Sequence, residues 1–441
     1  MGTERGPRGA TVDGASLAVF RILFGSLMAF NVLRYEAAGW VHDLYIAPTV
    51  MFPYWGLEWI RPLPGWGMHA VFGVIFLAAV GVALGWRTRA SLGVFLGAFT
   101  YVELLDRSTY LNHYYLVSLL AALMLFLPVA EVWSLDARRR GGRPVGAWAL
   151  WILRAQLGLV YVFAGLAKVR ADWLLEGQPL ATWLGRHEDL PLIGPWLVQP
   201  GVALAMSWAG CLFDLSAPFF LSHRRTRPAF YLVVVGFHLV TAALFNIGIF
   251  PWMMMAATTL FFAPDWPRRV FRRAATPTLG PPAPLPRWAG IALALYFAVQ
   301  VSVPLRQHAY GGSSTWHEQG FRFAWNVMVM EKTGQVDFIV RDAQGRETVV
   351  LPSEELTRLQ LRMMETQPDL ILAYAHHLAR RWEREGRGPV EVHADGWVSL
   401  NGRRRQRLID PEVDLAQVSD GFAPKAWILP LDQPSSWARH R

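Results

Sequence analysis

Apolar runs long enough to cross a bilayer, about 20 residues each, recur along the first 305 residues of this 441-residue chain. They fall at Leu17–Leu33, Met68–Leu84, Ala90–Leu105, Tyr114–Ala130, Val145–Ala167, Gly201–Leu221, Ala229–Ile249, Trp252–Ala263 and Trp288–Pro304. The eighth is short and reads as a half-span. A chain in lipid must satisfy its own backbone hydrogen bonds, so such runs are helices. The sequence predicts an all-α polytopic membrane domain over residues 1–304, with about eight or nine transmembrane helices. Composition agrees: only 17% of residues are charged, against about 25% in soluble domains.

Net charge is +9, but the arginines sit in short clusters between the apolar runs. They read as topology signals and argue against a nucleic-acid partner. With the N-terminus (Arg5, Arg8) in the cytoplasm, four clusters fall on that same side: Arg87/Arg89, Arg138–Arg140 with Arg143, Arg224/Arg225/Arg227, and Arg268/Arg269/Arg272/Arg273. The opposite linkers carry scattered bases such as Arg61, Arg107 and Arg186. A multi-pass integral membrane protein is expected, its N-terminus cytoplasmic and everything beyond Pro304 extracytoplasmic. The first run lacks a small-x-small exit and is followed by Arg34 and Glu36, so it is expected to stay as a helix. The Pro- and Ala-rich linker at 276–287 then becomes a cytoplasmic loop. The single cysteine, Cys211, permits no internal disulfide and no zinc framework, and no metal is expected.

Residues 305–441 change character and predict a smaller α+β, β-rich extracytoplasmic domain. QVDFIVRDAQGRETVVLP reads as two strands around a turn at Asp342–Gly345, and VEVHADGWVSLNG as another strand. PSEELTRLQLRMM, with a Ser353 cap, and DLILAYAHHLARRWERE carry helical periodicity. The tail after Asp410 is expected to be extended. His376 and His377 are adjacent on a helix, diverge, and read as surface residues.

Ionisable groups inside apolar runs are costly and point to function. Arg21 and Arg154, near the cytoplasmic ends, read as snorkelling or inter-helix pairs. Asp214 must pair or face a cavity. His238 is compatible with a satisfied core histidine or a catalytic one. His113 fits an interfacial aromatic belt or a pocket mouth, and Asp106 with Arg107 reads as a surface pair. Lys168 ends the fifth run within YVFAGLAKVRADW. A lysine there can snorkel to head groups, but Arg170, Asp172 and Trp173 already anchor that interface. Desolvation disfavours the ammonium form, which makes this amine a candidate general base.

Several ordered segments resemble the vitamin K-dependent γ-glutamyl carboxylases and their bacterial relatives, which carry an HTTM-type membrane domain. They are AVFRILFGSLMAF (18–30), LDRSTYLNHYYL (105–116), YVFAGLAKVRADWLLEG (161–177), LFDLSAPFFL (212–221), FHLVTAALFNIGIFPWMMMA (237–256), PDWPRR (264–269), GFRFAWNVMV (320–329) and WVSLNGRRRQRLIDPEVDLAQ (397–417). The resemblance implies that Lys168 deprotonates a reduced naphthoquinone, with His113 and His238 as further catalytic residues. Asn112, Asp214, Trp325, Arg322 and Arg407 are placed with the quinone and substrate pocket; Arg322, Arg404 and Arg407 read as candidate carboxylate binders or, as arginines in such a domain more often are, solvated surface residues. It also implies the partners: a vitamin K-type quinol, O2, CO2, a glutamate-containing peptide or protein, and the lipid of a bacterial inner membrane, with the C-terminal domain periplasmic. In such enzymes oxidation of the quinol to its epoxide supplies a base strong enough to remove a glutamate γ-proton, and the carbanion captures CO2. Dry surroundings protect that base.

The sequence departs from vertebrate members at Met330, where they carry histidine, and at Ala167, where they carry lysine. The alternatives are a quinol epoxidase without carboxylation and a non-catalytic quinone- or lipid-binding membrane protein.

Overall fold

The computed structural model describes residues 11–274 and 285–432. Each apolar run is helical: α1 (Ala15–Ala37), α2 (Trp66–Leu84), α3 (Thr88–Leu104), α4 (Asn112–Phe126), α5 (Ala147–Ala167), α6 (Pro200–Ser222), α7 (Arg227–Leu244), α8 (Phe250–Thr258) and α9 (Arg287–Leu305). Among the described residues six helices are long and apolar enough to span a membrane, namely α1, α2, α5, α6, α7 and α9. Helix α4 and the α8 region are shorter apolar helices. Of the Pro- and Ala-rich linker, residues 276–284 lie outside the described residues, as do Arg5 and Arg8.

Small residues and buried arginines hold the bundle together. At Gly25 of α1 an added Cβ would come within 2.6 Å of the Ala79 carbonyl on α2, so only glycine allows that crossing. Arg21 is fully buried. It pairs between helices, donating to Val82 O (2.5 Å), Ala83 O (2.6 Å), Trp133 O (2.6 Å) and Val129 O (3.2 Å). Arg154 likewise donates to Leu260 O (2.8 Å) and Phe262 O (2.9 Å). Both guanidinium groups tie backbone carbonyls of helix ends and loops together.

Beyond α9 lies an antiparallel four-stranded sheet in the order β2-β1-β3-β4, with β1 Lys332–Arg341, β2 Glu347–Val350, β3 Glu391–Leu400 and β4 Gln406–Arg407. Phe338 of β1 sits opposite Val350 and Ala394. The hairpin turns at Asp342–Gly345, with the Gly345 N–H donating to Asp342 O at 2.9 Å. Alternate residues Val336, Phe338, Val340, Val392, Ala394 and Val398 pack with Leu370, Ile371, Tyr374 and Leu378 of α11 (Pro368–Arg384), which follows α10 (Arg358–Met364). Ser353 is not the cap of α10. It lies in a separate 3-10 turn, Pro352–Glu354, and Thr357 caps the helix in a reciprocal box with Gln360. Nor are His376 and His377 free surface residues: they are half-buried, bonded to Val418 O (2.8 Å) and Glu355 Oε2 (3.0 Å). Helix α11 lies against the extended tail and the 3-10 turn, which cover both rings.

Ion pairs dock this domain onto the helices. Asp106 and Arg107 form no surface pair, because Asp106 is fully buried and Arg107 nearly so. Asp106 accepts from Gln360 Nε2 at 2.8 Å, while Arg107 reaches Asp369 (3.1 Å) and Asp420 (3.3 Å). Asp172, just after α5, accepts from Arg403 at 2.6 Å and from Asn401 at 2.7 Å. Glu331 accepts from Trp183 Nε1 at 2.8 Å and from Arg186.

Candidate active site

Helix α5 ends at Ala167, and Lys168 is buried with 5% of its surface exposed. The side chain folds back toward its own helix. Nζ donates to Ala164 O (3.2 Å), Asp214 Oδ2 on α6 (2.8 Å) and Val327 O (3.3 Å), and lies 5.4 Å from the Trp173 ring centre. An ammonium has three protons to donate, and all three are engaged. The sequence pictured a lone desolvated amine; the structure provides a buried carboxylate beside it. The reason is packing. A Cβ at Gly165 would come within 2.7 Å of the Leu215 side chain, so glycine lets α5 and α6 close until Lys168 and Asp214 meet.

Lys168 and Asp214 line an enclosed cavity of about 80 Å³ with Tyr161, Trp173, Met206, Phe237, His238, Phe250, Met254, Val327 and Met328 among its walls. His238 is 1% exposed. Its Nε2 lies 3.5 Å from the Tyr161 hydroxyl, and its Nδ1 has no hydrogen-bond partner. The cavity is thus largely apolar, its polar side chains being Lys168, Asp214, Tyr161, His238 and Thr241, whose hydroxyl donates to His238 O.

A loop from the C-terminal domain caps it. Within Gly320–Val329 the non-glycine residues Phe323 (φ 63°), Trp325 (φ 57°) and Met328 (φ 55°) adopt left-handed backbone. Bulky side chains are uncommon there, and clusters of such residues mark functional sites. Trp325 stacks on Tyr115 at 5.1 Å. The Asn112 side chain donates to Asn326 O at 3.1 Å, and Asn326 donates to Gln307 at 2.9 Å. Asn112 and Trp325 therefore hold the loop, and Val327 and Met328 present its inner side to the cavity.

The outer side of this loop faces a second pocket of about 300 Å³, walled by Tyr54, Trp55, Tyr310, Phe323 and Phe422 and by Arg107, Arg306, Arg322 and Lys425. Arg322 pairs with Asp369 at 2.5 Å and also donates to Gln367. Burial works against the Asp369 charge, but Arg322 and Arg107 outweigh it and hold the carboxyl at about 2. Burial pushes the nearby His317 down to about 4, so that ring is neutral at pH 7. Arg306 donates to Arg322 O at 2.6 Å and lies over the Phe323 ring.

Of the expected site residues, Lys168, Asp214 and His238 share the cavity. His113 stands behind it, on the other side of Phe250, whose ring centre is 5.8 Å from each histidine. Arg322 belongs to the outer pocket. Arg407 joins neither: it is exposed on β4, paired with Asp395 at 3.0 Å, because the two-residue edge strand points it outward over the sheet. Arg404 is exposed too. Met330 packs against the core of the C-terminal domain and lines neither pocket. Arg403 and Arg306 had no assigned part in the sequence reading, and Asp172, an interface anchor there, is clasped by Arg403.

A buried lysine–aspartate pair thus lies in a helical domain with membrane-length apolar helices, capped by a loop of a smaller domain. The HTTM domain family matches residues 10–266. The lumenal domain of the vitamin K-dependent gamma-carboxylases matches residues 286–434. The chain belongs to the vitamin K-dependent gamma-carboxylase family. No solved structure gives a significant match. Among the described residues no group of three or more His, Cys, Asp or Glu side chains is arranged to hold a metal ion.

Proposed function

We propose that this protein oxidises a reduced vitamin K-type naphthoquinone with O2 to its epoxide and couples that reaction to carboxylation of glutamate side chains. The observation that carries the reading is the Lys168–Asp214 pair in an apolar cavity, within a chain whose two parts both match the carboxylase family. The residues fit a quinol: the walls are aromatic and aliphatic, Lys168 Nζ can face a hydroxyl, and the orphaned His238 Nδ1 has room for one polar partner. The cavity as closed is smaller than typical ligand sites of about 300–1,000 Å³. Met206, Met254 and Met328 form walls able to yield to two rings.

When bound, the quinol with O2 supplies the strong base that no side chain provides. The residues take the first proton. Because every ammonium proton of Lys168 is engaged, the pair acts as one unit: Nζ receives the hydroxyl proton while Asp214 Oδ2 takes one from Nζ. The Val327 carbonyl contact, the longest of the three, is the one a ligand hydroxyl replaces. Trp173 and Met328 keep water out. The acceptor glutamate enters from the outer pocket, where Arg306 and Arg322 orient its carboxylate and aromatic walls grip the adjoining chain.

This reading takes about eight or nine of these helices as crossing the membrane, the N-terminus as cytoplasmic and residues 305–441 as a periplasmic domain. The test is incubation of the purified protein in lipid with naphthoquinol, O2, isotopically labelled CO2 and a glutamate-rich peptide. Epoxide together with label in the peptide is the expected result. Epoxide without label would leave a quinol epoxidase. Bound quinone with neither product would leave a binding protein.

A further inference from the structure

Between α5 and α6 the chain forms three short helices, Ala171–Leu174, Leu180–Gly185 and Gly194–Leu197. Their inner side is a small apolar cluster of Trp173, Leu180, Leu184 and Leu197 packed on Ala203 and Cys211 of α6 and Leu244 of α7. Trp173 and Leu180 of this cluster also line the Lys168 cavity, so the segment is its side wall. Its outer side is different. Leu192 is 99% exposed and Trp196 61% exposed, with Ile193 and Pro191 exposed beside them.

The exposed tip is built rigidly. Leu192 has left-handed backbone, φ 70°, a conformation uncommon for leucine. The Gly194 N–H donates to Leu190 O at 2.9 Å. A Cβ at Gly194 would lie 2.0 Å from Glu188 O, so only glycine closes this turn. His187 fastens the base of the tip through a 2.7 Å bond to Leu244 O of α7. Arg186, Glu188 and Asp189 form a charged border on one side. From Leu190 through Phe213 there is no Asp, Glu, Lys, Arg or His, and most of that stretch is the membrane helix α6. The tip is therefore continuous with a membrane-spanning segment on one flank and charged on the other.

We infer that Pro191–Trp196 is inserted into the acyl region of the leaflet on the C-terminal-domain side, anchoring the side wall of the cavity in lipid. Exposed apolar patches rimmed by charge mark membrane contact, and tryptophan favours that interface. The occupant is lipid: the uncharged stretch that continues into α6 argues for it, as does the position of the tip beside two membrane helices.

The test uses the full chain in lipid nanodiscs with a nitroxide on Leu192→Cys, and on Ile193→Cys should the first variant fold poorly. Buried Cys211 takes no label, and Asp189→Cys serves as the comparison. The label at 192 should collide with O2 more than with a water-soluble nickel chelate, placing it about 5–10 Å below the head-group boundary. The label at 189 should show the reverse. Chelate access at 192 equal to that at 189 would overturn the inference, as would dipolar broadening at 192, which means a second copy covers the tip. Neither arm requires turnover, so its failure leaves the reading of the cavity intact.

Discussion

Two of the buried cation–carboxylate sites lie on opposite sides of one strained loop. In the membrane cavity, Lys168 and Asp214 lie 2.8 Å apart among largely apolar and aromatic walls. In the outer pocket, Asp369 is shared by Arg322 and Arg107, with Asp420 and Lys425 extending the network. Arginine does not give up its proton, so the outer network holds fixed charge and can orient an anion. A lysine and an aspartate 2.8 Å apart in a dry site can pass one proton between them. The chemistry assigned to each site follows from that difference in partners rather than from burial, which the two share.

The contrast is open to attack by substitution. Lys168→Ala should lower epoxide formation per folded molecule by about 100-fold or more, the scale of a positioned general base, a loss beyond whatever stability goes with leaving Asp214 unpaired. An equal loss of folded protein would make the lysine structural. Arg322→Ala should act the other way, costing about 3–5 kcal/mol of stability because Asp369 is left charged and buried. Thermal unfolding in detergent reads this.

The same network predicts a pH response. The Asp369 carboxyl sits at about 2 in the folded protein, below its ordinary unfolded value, so its contribution is complete above about pH 4 and fades as pH falls toward 2. Arg322→Ala should flatten that acid limb. A smaller effect is expected at Gly165→Ala, about 1–3 kcal/mol from forcing α5 and α6 apart, with activity lost more than stability because Lys168 and Asp214 separate. Smallest of all, Arg407→Ala should change stability by under about 0.5 kcal/mol and leave activity unchanged, since its partner Asp395 is exposed as well.

What could be read from the sequence follows from range. Apolar runs are local signals, and each is helical here. A lysine, an aspartate and a histidine inside such runs point inward because lipid excludes them, and all three line one cavity. The hairpin at Asp342–Gly345 is also local turn chemistry. The misreadings concern distant partners. Asp106 and Arg107 look like a surface pair until Gln360, Asp369 and Asp420, more than 250 residues away, cover them. Ser353 and Thr357 both resemble caps, and only Gln360 three residues after Thr357 decides between them. The capping loop gave a backbone signal only at Gly320 (φ 73°). Left-handed turns normally advertise themselves with glycine or asparagine, whereas Phe323, Trp325 and Met328 carry theirs by packing. His113 looked equivalent to His238, and a single phenyl ring, Phe250, separates it from the cavity.

The central claim is that the amine of Lys168, working with Asp214, takes the proton that starts quinol oxidation. Chemical rescue tests it most directly: epoxide formation by Lys168→Ala in nanodiscs, measured with and without a small primary amine. The account predicts that the variant is inactive and that methylamine restores epoxide in proportion to its unprotonated concentration, with Asp214→Asn not rescued. Wild-type epoxide formation by Lys168→Ala without added amine would contradict it.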